Sequence, residues 1–308
     1  MTALSPRVSA DGYRIAINPI QWVASDDGHL DRSLQPQLPD LLSQIKNAGF
    51  PAAVVTAPGV SLEDYKKAYS DAGMLPAPAY FGTPSPEANI SLSQTLEEAK
   101  AFGARQASLG LKDTFIAVHM PPSVRPRVDV PALGVQFDQA RLNQVIDELG
   151  KAAEVIKAEG VMPALHPHVG TWIETEDETR QTLDAIGAST LNFGPDSGHL
   201  SWAKADVLGL FRDYAKRISV MHIKDIRLDV RDESTKLGRS YPEAALAGLW
   251  AEPGNGNLDI DSMIAALGAD FDGWLIAEVD RPTMKPYESA IVSAKYLRNL
   301  KRPGAKAA

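Results

Sequence analysis

Two histidines, His166 and His168, end the apolar segment ALHPHVG (164–170) in a chain of 308 residues that has only six histidines. Imidazoles bind divalent cations and exchange protons near neutral pH. Other side chains of similar chemistry also follow apolar runs: His119, Asp196, His199, His222, Glu278 and Asp280. A single histidine of this kind is more often a core residue, but the position shared by the whole set indicates a metal or acid–base site.

The apolar runs are predicted strands that alternate with predicted helices. The strands are expected at 14–20, 52–56, 75–81, 115–120, 161–168, 191–196, 218–225 and 273–280. The helices are expected at 38–48, 61–72, 91–103, 138–159, 175–187, 204–216, 259–268 and 286–300. Eight alternations predict a (β/α)8 TIM barrel, an α/β fold whose strands all end at one face, where the polar side chains can meet. An open doubly wound sheet is the alternative, but no G-x-G-x-x-G fingerprint follows the first strand.

We expect one domain over residues 1–308, because no linker-like segment divides the chain. Two stretches are predicted to be irregular: 121–136 follows the fourth strand, and the long loop 226–257 follows the seventh. The loop 226–257 is expected to act as a lid or as the contact of a possible homodimer. Arg125 and Arg127 are interpreted as solvated surface residues, with contact to an anion as the alternative.

The composition disfavours several classes of protein. Hydrophobic residues make up 44% of the chain, and no apolar stretch approaches the roughly 20 residues that cross a bilayer, so no membrane contact is expected. A net charge of −8 and a pI near 5.3 disfavour nucleic acid as a partner. The N-terminal residues lack the apolar core of a secretory signal, so a cytoplasmic location is expected. Because the chain has no cysteine, any metal must bind to His, Asp and Glu, as Mn²⁺, Co²⁺, Mg²⁺ and Zn²⁺ do.

Several stretches resemble the xylose-isomerase-like barrels and, within them, the inosose (2-keto-myo-inositol) dehydratases. They are INPIQW, LHPHVGTWIET, PDSGHLSWAKAD, RISVMHIKDIR, AALAGLWAEPGNGNLDI and GWLIAEVDRP. The resemblance implies a divalent cation, Mn²⁺ or Co²⁺ first and Mg²⁺ or Zn²⁺ as alternatives, at the ends of strands 5 to 8. The implied ligands are His166, Asp196, His222 and Glu278. The first of them departs from the wider superfamily, which has a glutamate at this position.

The resemblance further implies a lyase that removes water from a keto-cyclitol or keto-sugar after taking a proton next to the ketone. Such a β-elimination needs a base and an acid, roles that Glu278 and a histidine can divide. The candidate catalytic residues are Glu278, His166, His168, His199 and Lys224, with His166 either a metal ligand or the base. The candidate substrate-binding residues are Trp22, His119, His199 and Lys224, with core packing as the alternative for Trp22.

Other functions stay open at this point. A sugar isomerase or epimerase is disfavoured by His166, because epimerases of this superfamily use two carboxylates on opposite faces of one carbon. The second strand (52–56) lacks the acidic residue of the dehydratases, and EVD (278–280) stands where they have two glutamates. These departures favour elimination or hydration of a 3-keto-glycoside as an alternative. A sugar-binding barrel with a degenerate metal site is the non-enzymatic alternative, and a DNA-repair nuclease is disfavoured by the acidic pI.

Overall fold

Parallel strands form the wall of a closed barrel in the computed structural model, which describes residues 5–7, 12–120 and 125–302. Each barrel strand is followed by at least one helix, and the helices form the outer layer. The strands are β1 (Arg14–Asn18), β2 (Ala52–Ala53), β3 (Leu75–Pro76), β4 (Tyr80–Pro84), β5 (Asp113–His119), β6 (Met162–Leu165), β7 (Asn192–Phe193), β8 (Val220–Ile223), β9 (Asp225–Ile226), β10 (Trp250–Ala251) and β11 (Trp274–Glu278).

Two parallel sheets close the wall, in the orders β3-β2-β1-β11-β8 and β4-β5-β6-β7. β3 and β4 are the two halves of one barrel strand, which is interrupted at 77–79, where Pro78 has no N–H to donate. Parallel bridges from Phe193 to Ile218 and from Asp196 to His222 join β7 to β8. The predicted (β/α)8 barrel is therefore confirmed, with all eight predicted strands in its wall.

Most of the helices begin at a side chain that accepts one of their first free amide N–H groups. Ser61, Asp138 and Thr175 are such N-caps. Among the described residues, no helix is long and apolar enough to cross a membrane. The helices are α1 (Leu38–Ala48), α2 (Leu62–Ala72), α3 (Leu92–Ser108), α4 (Gln139–Ala158), α5 (Glu176–Ala185), α6 (Ser197–Trp202), α7 (Val207–Tyr214), α8 (Leu228–Leu237), α9 (Tyr241–Leu246), α10 (Ile260–Ala266) and α11 (Pro286–Asn299).

The segment 226–257 is not the irregular loop that its sequence suggests. It contains α8 and α9, and its two ends pair as the antiparallel strands β9 and β10. The Asp225 carboxylate, just before the segment, accepts backbone N–H groups from Gly254, Gly256 and Leu258 at 3.0, 3.0 and 3.1 Å. Asp225 is therefore a structural residue, because its carboxylate holds the turn 253–258 in place.

Side chains alternate between the barrel interior and the helix layer along each strand. Ala16, Ala164, Val220 and Ile276 lie together in an interior apolar cluster. Their neighbours in sequence, such as Ile15 and Ile17, belong to the larger cluster under the helices. The residue two positions after each interior residue therefore points into the barrel mouth.

Arg127 is buried, so its interpretation as a solvated surface residue is wrong. Its guanidinium donates to both carboxylate oxygens of Glu178 at 2.7 and 3.0 Å and to the backbone carbonyls of Thr171 and Val135 at 2.9 Å. A buried charge is tolerated when it is paired and fully hydrogen-bonded in this way. These bonds fasten the segment that precedes α4 to the N-terminus of α5. Arg125, in contrast, is partly exposed.

Glu174 also helps to attach the segment before α4 to the region that leads into α5, and it makes this attachment sensitive to pH. The buried carboxylate accepts the N–H groups of Gly134 and Gly170 at 2.8 and 2.7 Å. Burial nevertheless raises the pKa of Glu174 to about 7, above the value of about 4.3 expected in the unfolded chain. The folded state therefore binds this proton more tightly. The stabilisation that the proton provides is complete below pH 4 and is lost as the pH rises through 7.

We expect the free energy of unfolding of the wild type, relative to Glu174→Gln, to fall by roughly 2–3 kcal/mol between pH 4.5 and pH 8. Glutamine does not titrate, so the comparison isolates the glutamate proton. Urea unfolding followed by circular dichroism at several pH values measures the difference. Wild-type and variant stabilities that run parallel across this range would contradict the prediction.

Candidate metal centre and active site

Strand ends of the barrel direct polar side chains into its mouth. His166 lies two residues after interior Ala164, His222 two after Val220, and Glu278 two after Ile276. Suitable atoms of His166, Asp196 and His222 lie within 4.8 Å of one another. Glu278 Oε2 lies 3.2 Å from His222 Nδ1. The structure therefore groups three of the four ligands that the resemblance implies, and the fourth, Glu278, contacts His222 beside them.

Bonds to the backbone orient two of these side chains and leave one atom of each free. Asp196 is the N-cap of α6, and its Oδ1 accepts the N–H groups of Gly198 and His199 at 2.8 Å. Its Oδ2 is buried without a hydrogen-bond partner, as is Nδ1 of His222, 3.7 Å away. His166 Nδ1 lies 3.1 Å from the carbonyl oxygen of Gly194. That bond leaves Nε2 with a free lone pair, as in metal-binding histidines.

The negative charges of the cluster exceed its positive charges, and a divalent cation would balance them. Asp196, Glu278 and Asp280 are buried and carry up to three negative charges, whereas Lys224 supplies one positive charge. An uncompensated buried charge is costly, and a divalent cation supplies the two positive charges that are missing. The group of His166, Asp196 and His222, with Glu278 beside His222, thus fits a cation such as Mn²⁺, Co²⁺ or Zn²⁺, for which imidazole and carboxylate are suitable ligands.

The protonation of the histidines agrees with this assignment. Burial lowers the pKa of His166 to about 3 and that of His168 to about 4, so both rings are neutral at pH 7. Burial alone also disfavours a charge on His222, but the Glu278 and Asp196 carboxylates raise its pKa to about 9. His222 thus takes up a proton where a cation is lacking, and a cation displaces that proton because only neutral imidazole binds metal.

Lys224 lies at the centre of a polar network beside the ligand set. Its Nζ is 2.7 Å from Glu278 Oε2, 2.6 Å from Asp280 Oδ1 and 3.1 Å from His199 Nε2. Burial alone lowers the pKa of a lysine, but the three neighbouring carboxylates hold that of Lys224 above its usual value. The ring of His168 lies 3.7 Å from that of His199, centre to centre. Lys224 is therefore a buried ammonium that lines the cavity beside the candidate ligands.

A cavity of about 1010 Å³ opens at this end of the barrel. Its walls include His119, whose ring passes so close to β4 that a Cβ on Gly82 would lie 1.7 Å from it. Trp22 is not among the lining residues; it packs in the core and donates its indole N–H to Gln44. Trp22 therefore packs in the core, the alternative that its sequence position left open, and does not line the cavity as a substrate-binding residue would. The other lining residues predicted from the sequence are His166, His168, His222, Lys224 and Glu278.

Two residues of the site are not among the candidates predicted from the sequence. Asn18 ends β1, lines the cavity and donates its side-chain N–H to Oε1 of Glu278. Tyr241, from the segment 226–257, also lines the cavity and donates its hydroxyl to Oδ2 of Asp280. Asn18 lies two residues after interior Ala16, so the alternation that places His222 also predicts its position. Tyr241 lies in no barrel strand, and no comparable signal identifies it.

We expect the wild type to bind one Mn²⁺ or Zn²⁺ per chain and His222→Ala to bind it more than about 100-fold less tightly, since even outer-shell partners of metal ligands contribute 10–100-fold. Isothermal titration calorimetry gives the affinity, and elemental analysis gives the stoichiometry. His29→Ala is the matched control, because this exposed histidine lines the cavity outside the ligand set. Equal affinities of wild type and His222→Ala would contradict the assignment.

Comparisons with known proteins agree with the barrel. The inosose dehydratase of Geobacillus thermodenitrificans is 26% identical over 294 residues, which cover 92% of this chain and 96% of the relative. The structure of the probable 3-DHS dehydratase AsbF of Bacillus anthracis superimposes with a TM-score of 0.66 at 14% identity, covering 94% of this chain and 99% of that one.

A second solved structure, the IOLI protein with a bound zinc atom, matches with a TM-score of 0.63 at 16% identity and covers 93% of this chain and 97% of its own. At these identities the structural matches establish the fold only. The family model of the xylose isomerase-like TIM barrels matches residues 36–300. Since that match spans most of the sequence, the protein belongs to the xylose isomerase-like TIM barrel family.

Proposed function

We propose that the protein is a metal-dependent hydro-lyase that removes water from a cyclic polyhydroxy ketone, a keto-cyclitol such as 2-keto-myo-inositol. The observation that carries the proposal is the direct contact between Lys224 Nζ and Glu278 Oε2, 2.7 Å apart at the floor of the cavity. This contact places a proton donor and a proton acceptor beside the candidate cation site. The similarity to inosose dehydratase over nearly the whole chain supports the same class of substrate.

Elimination of water beside a ketone requires three contributions. The proton next to the carbonyl must be made acidic, a base must take it, and an acid must protonate the departing hydroxyl. A bound divalent cation polarises the ketone oxygen and so acidifies that proton. His166, Asp196, His222 and Glu278 are the residues that would hold the cation. The remaining two contributions come from side chains of the chain itself.

Glu278 acts as the base. Burial alone raises the pKa of a carboxyl group, but His222 and Lys224 hold the pKa of Glu278 well below its usual value, so it is ionised. Asn18 fixes its Oε1. As Glu278 takes the proton from the carbon next to the ketone, the electrons of that C–H bond form a C=C bond to the next carbon. The C–O bond at that carbon breaks at the same time, and its electron pair leaves with the hydroxyl oxygen.

Lys224 acts as the acid that protonates the departing hydroxyl, so that water leaves. Because Nζ lies 2.7 Å from Glu278 Oε2, the proton taken by Glu278 returns directly to Lys224 after each turnover. The net reaction is then loss of one water and formation of an enone. The imidazole of His168, held through Nδ1 by the carbonyl of Val169 at 2.7 Å, leaves Nε2 to bind a substrate hydroxyl. His199 contacts the Lys224 ammonium through Nε2 at 3.1 Å.

We expect the Mn²⁺-loaded protein to convert 2-keto-myo-inositol to an enone that is followed by its ultraviolet absorbance. Glu278→Gln and Lys224→Met are each expected to lower kcat by about 100-fold or more, the usual contribution of a positioned acid or base. Lys204→Met is the matched control, since Lys204 is an exposed lysine outside the cavity. Deuterium from the solvent appearing in recovered substrate without an enone would instead indicate an isomerase or epimerase.

A second candidate reaction is β-elimination on a 3-keto-glycoside, and the size of the cavity favours it. The volume of about 1010 Å³ is at the upper end of the range of roughly 300–1,000 Å³ for ligand pockets. Apolar side chains that line it include Val54, Phe102 and Leu109, and these could accept a substituent on the ring. Faster release of the substituent from a 3-keto-glucoside than dehydration of 2-keto-myo-inositol would favour this candidate.

A further inference from the structure

The Lys224 ammonium lies among four acceptor atoms. Asp280 Oδ1 and His199 Nε2 are hydrogen-bonded to Nζ at 2.6 and 3.1 Å, whereas Glu278 Oε2 and Asp196 Oδ2 are ion-pair partners at 2.7 and 3.3 Å. Two of these acceptors, Glu278 and Asp196, are also candidate ligands of the cation. The ammonium and a divalent cation therefore compete for the same two carboxylates.

Asp280 is the charged partner of Lys224 outside the ligand set. It is buried, and its Oδ1 accepts from Lys224 Nζ at 2.6 Å. Its Oδ2 accepts the hydroxyl of Tyr241. Since a donor occupies each oxygen, the carboxylate is fixed with one edge facing the ammonium.

The surroundings of Tyr241 fix its hydroxyl in turn. Tyr241 is the first residue of α9, and its backbone N–H donates to the carbonyl of Val128 at 2.7 Å. Its ring lies 4.8 Å from that of Trp202 and is parallel to that of His168 at 6.2 Å. Ser240 and Glu243 form a capping box that starts α9. Tyr241 of the segment 226–257 thus presents a rigidly held phenol to the active site.

We propose that Asp280 and Tyr241 form an anchor that holds the Lys224 ammonium by hydrogen bonds and so limits its competition with a divalent cation for Asp196 and Glu278. The inference rests on the proposed function, because it takes both carboxylates as cation ligands and Lys224 as the proton donor. Once a cation neutralises the ligands, Asp280 remains as the counter-charge of the ammonium. Asp280 and Tyr241 are positioning residues, since they act through Lys224.

The test is a double-mutant cycle on the affinity for Mn²⁺, measured by isothermal titration calorimetry without substrate. Asp280→Asn is expected to weaken Mn²⁺ binding about tenfold and Tyr241→Phe about threefold, because a bond to a charged group is lost and the ammonium moves onto the ligands. In a Lys224→Met background neither substitution is expected to change the affinity by more than about twofold, since no ammonium competes.

Tyr214→Phe is the matched control, because its hydroxyl also donates to an aspartate, Asp184, but at an exposed site. It is expected to leave Mn²⁺ affinity unchanged. Thermal unfolding shows whether each variant is folded. Wild-type affinity in both Asp280→Asn and Tyr241→Phe would overturn the proposal. An equal loss with and without Lys224 would also overturn it, because it would show a direct effect on the cation.

The experiment separates this inference from the proposed function. A wild type that binds Mn²⁺ and shows the expected cycle but dehydrates no cyclic ketone contradicts the proposed function and supports the anchor. A wild type that dehydrates the ketone but shows no coupling to Lys224 overturns the anchor alone. Failure of the wild type to bind Mn²⁺ overturns both.

Discussion

Three buried carboxylates that share one buried ammonium are the constraint on which the centre of this protein depends. Asp196, Glu278 and Asp280 lie at neighbouring strand ends, and Lys224 alone cannot neutralise them. The shortfall is two charges, unless His222 takes up a proton as its raised pKa allows. Such a cluster is costly to bury, so its presence indicates a site built for a divalent cation. Within this cluster Lys224 Nζ and Glu278 Oε2 lie in direct contact, 2.7 Å apart.

The barrel creates this cluster through strand alternation and local capping. Side chains two positions beyond the interior apolar layer point into the mouth, so different strands contribute to one site. Asp196 is oriented differently, because one of its oxygens caps α6 and the other is left for the cluster. The walls of the mouth are held by buried polar links such as the Arg127–Glu178 pair. Rigid surroundings of this kind allow charged groups to stay close together.

Much of the fold and part of the site follow from sequence pattern alone. Eight apolar runs with helical spacing between them predict the barrel, because this alternation has few other compact solutions. Polar residues at the ends of those runs predict the convergence of His166, Asp196, His222 and Glu278. Both signals are local, since they depend on residues a few positions apart. The alternation also predicts that Asn18 points into the barrel mouth, although its amide side chain does not by itself suggest a catalytic or metal-binding role.

The remaining features depend on pairs that are distant in sequence. The burial of Arg127 follows from Glu178, 51 residues away, and nothing near Arg127 in the chain indicates it. Trp22 packs in the core because Gln44 satisfies its indole N–H. The helices α8 and α9 are short, and their packing against the barrel stabilises them more than their own periodicity does. Tyr241 reaches the site only through that packing.

The most direct test of the central claim is an anomalous difference map at the manganese edge, from crystals grown with Mn²⁺. The expected result is one strong peak per chain bounded by His166, Asp196, His222 and Glu278, with Lys224 hydrogen-bonded to Asp280. The contradicting result is a map with no peak among these four side chains.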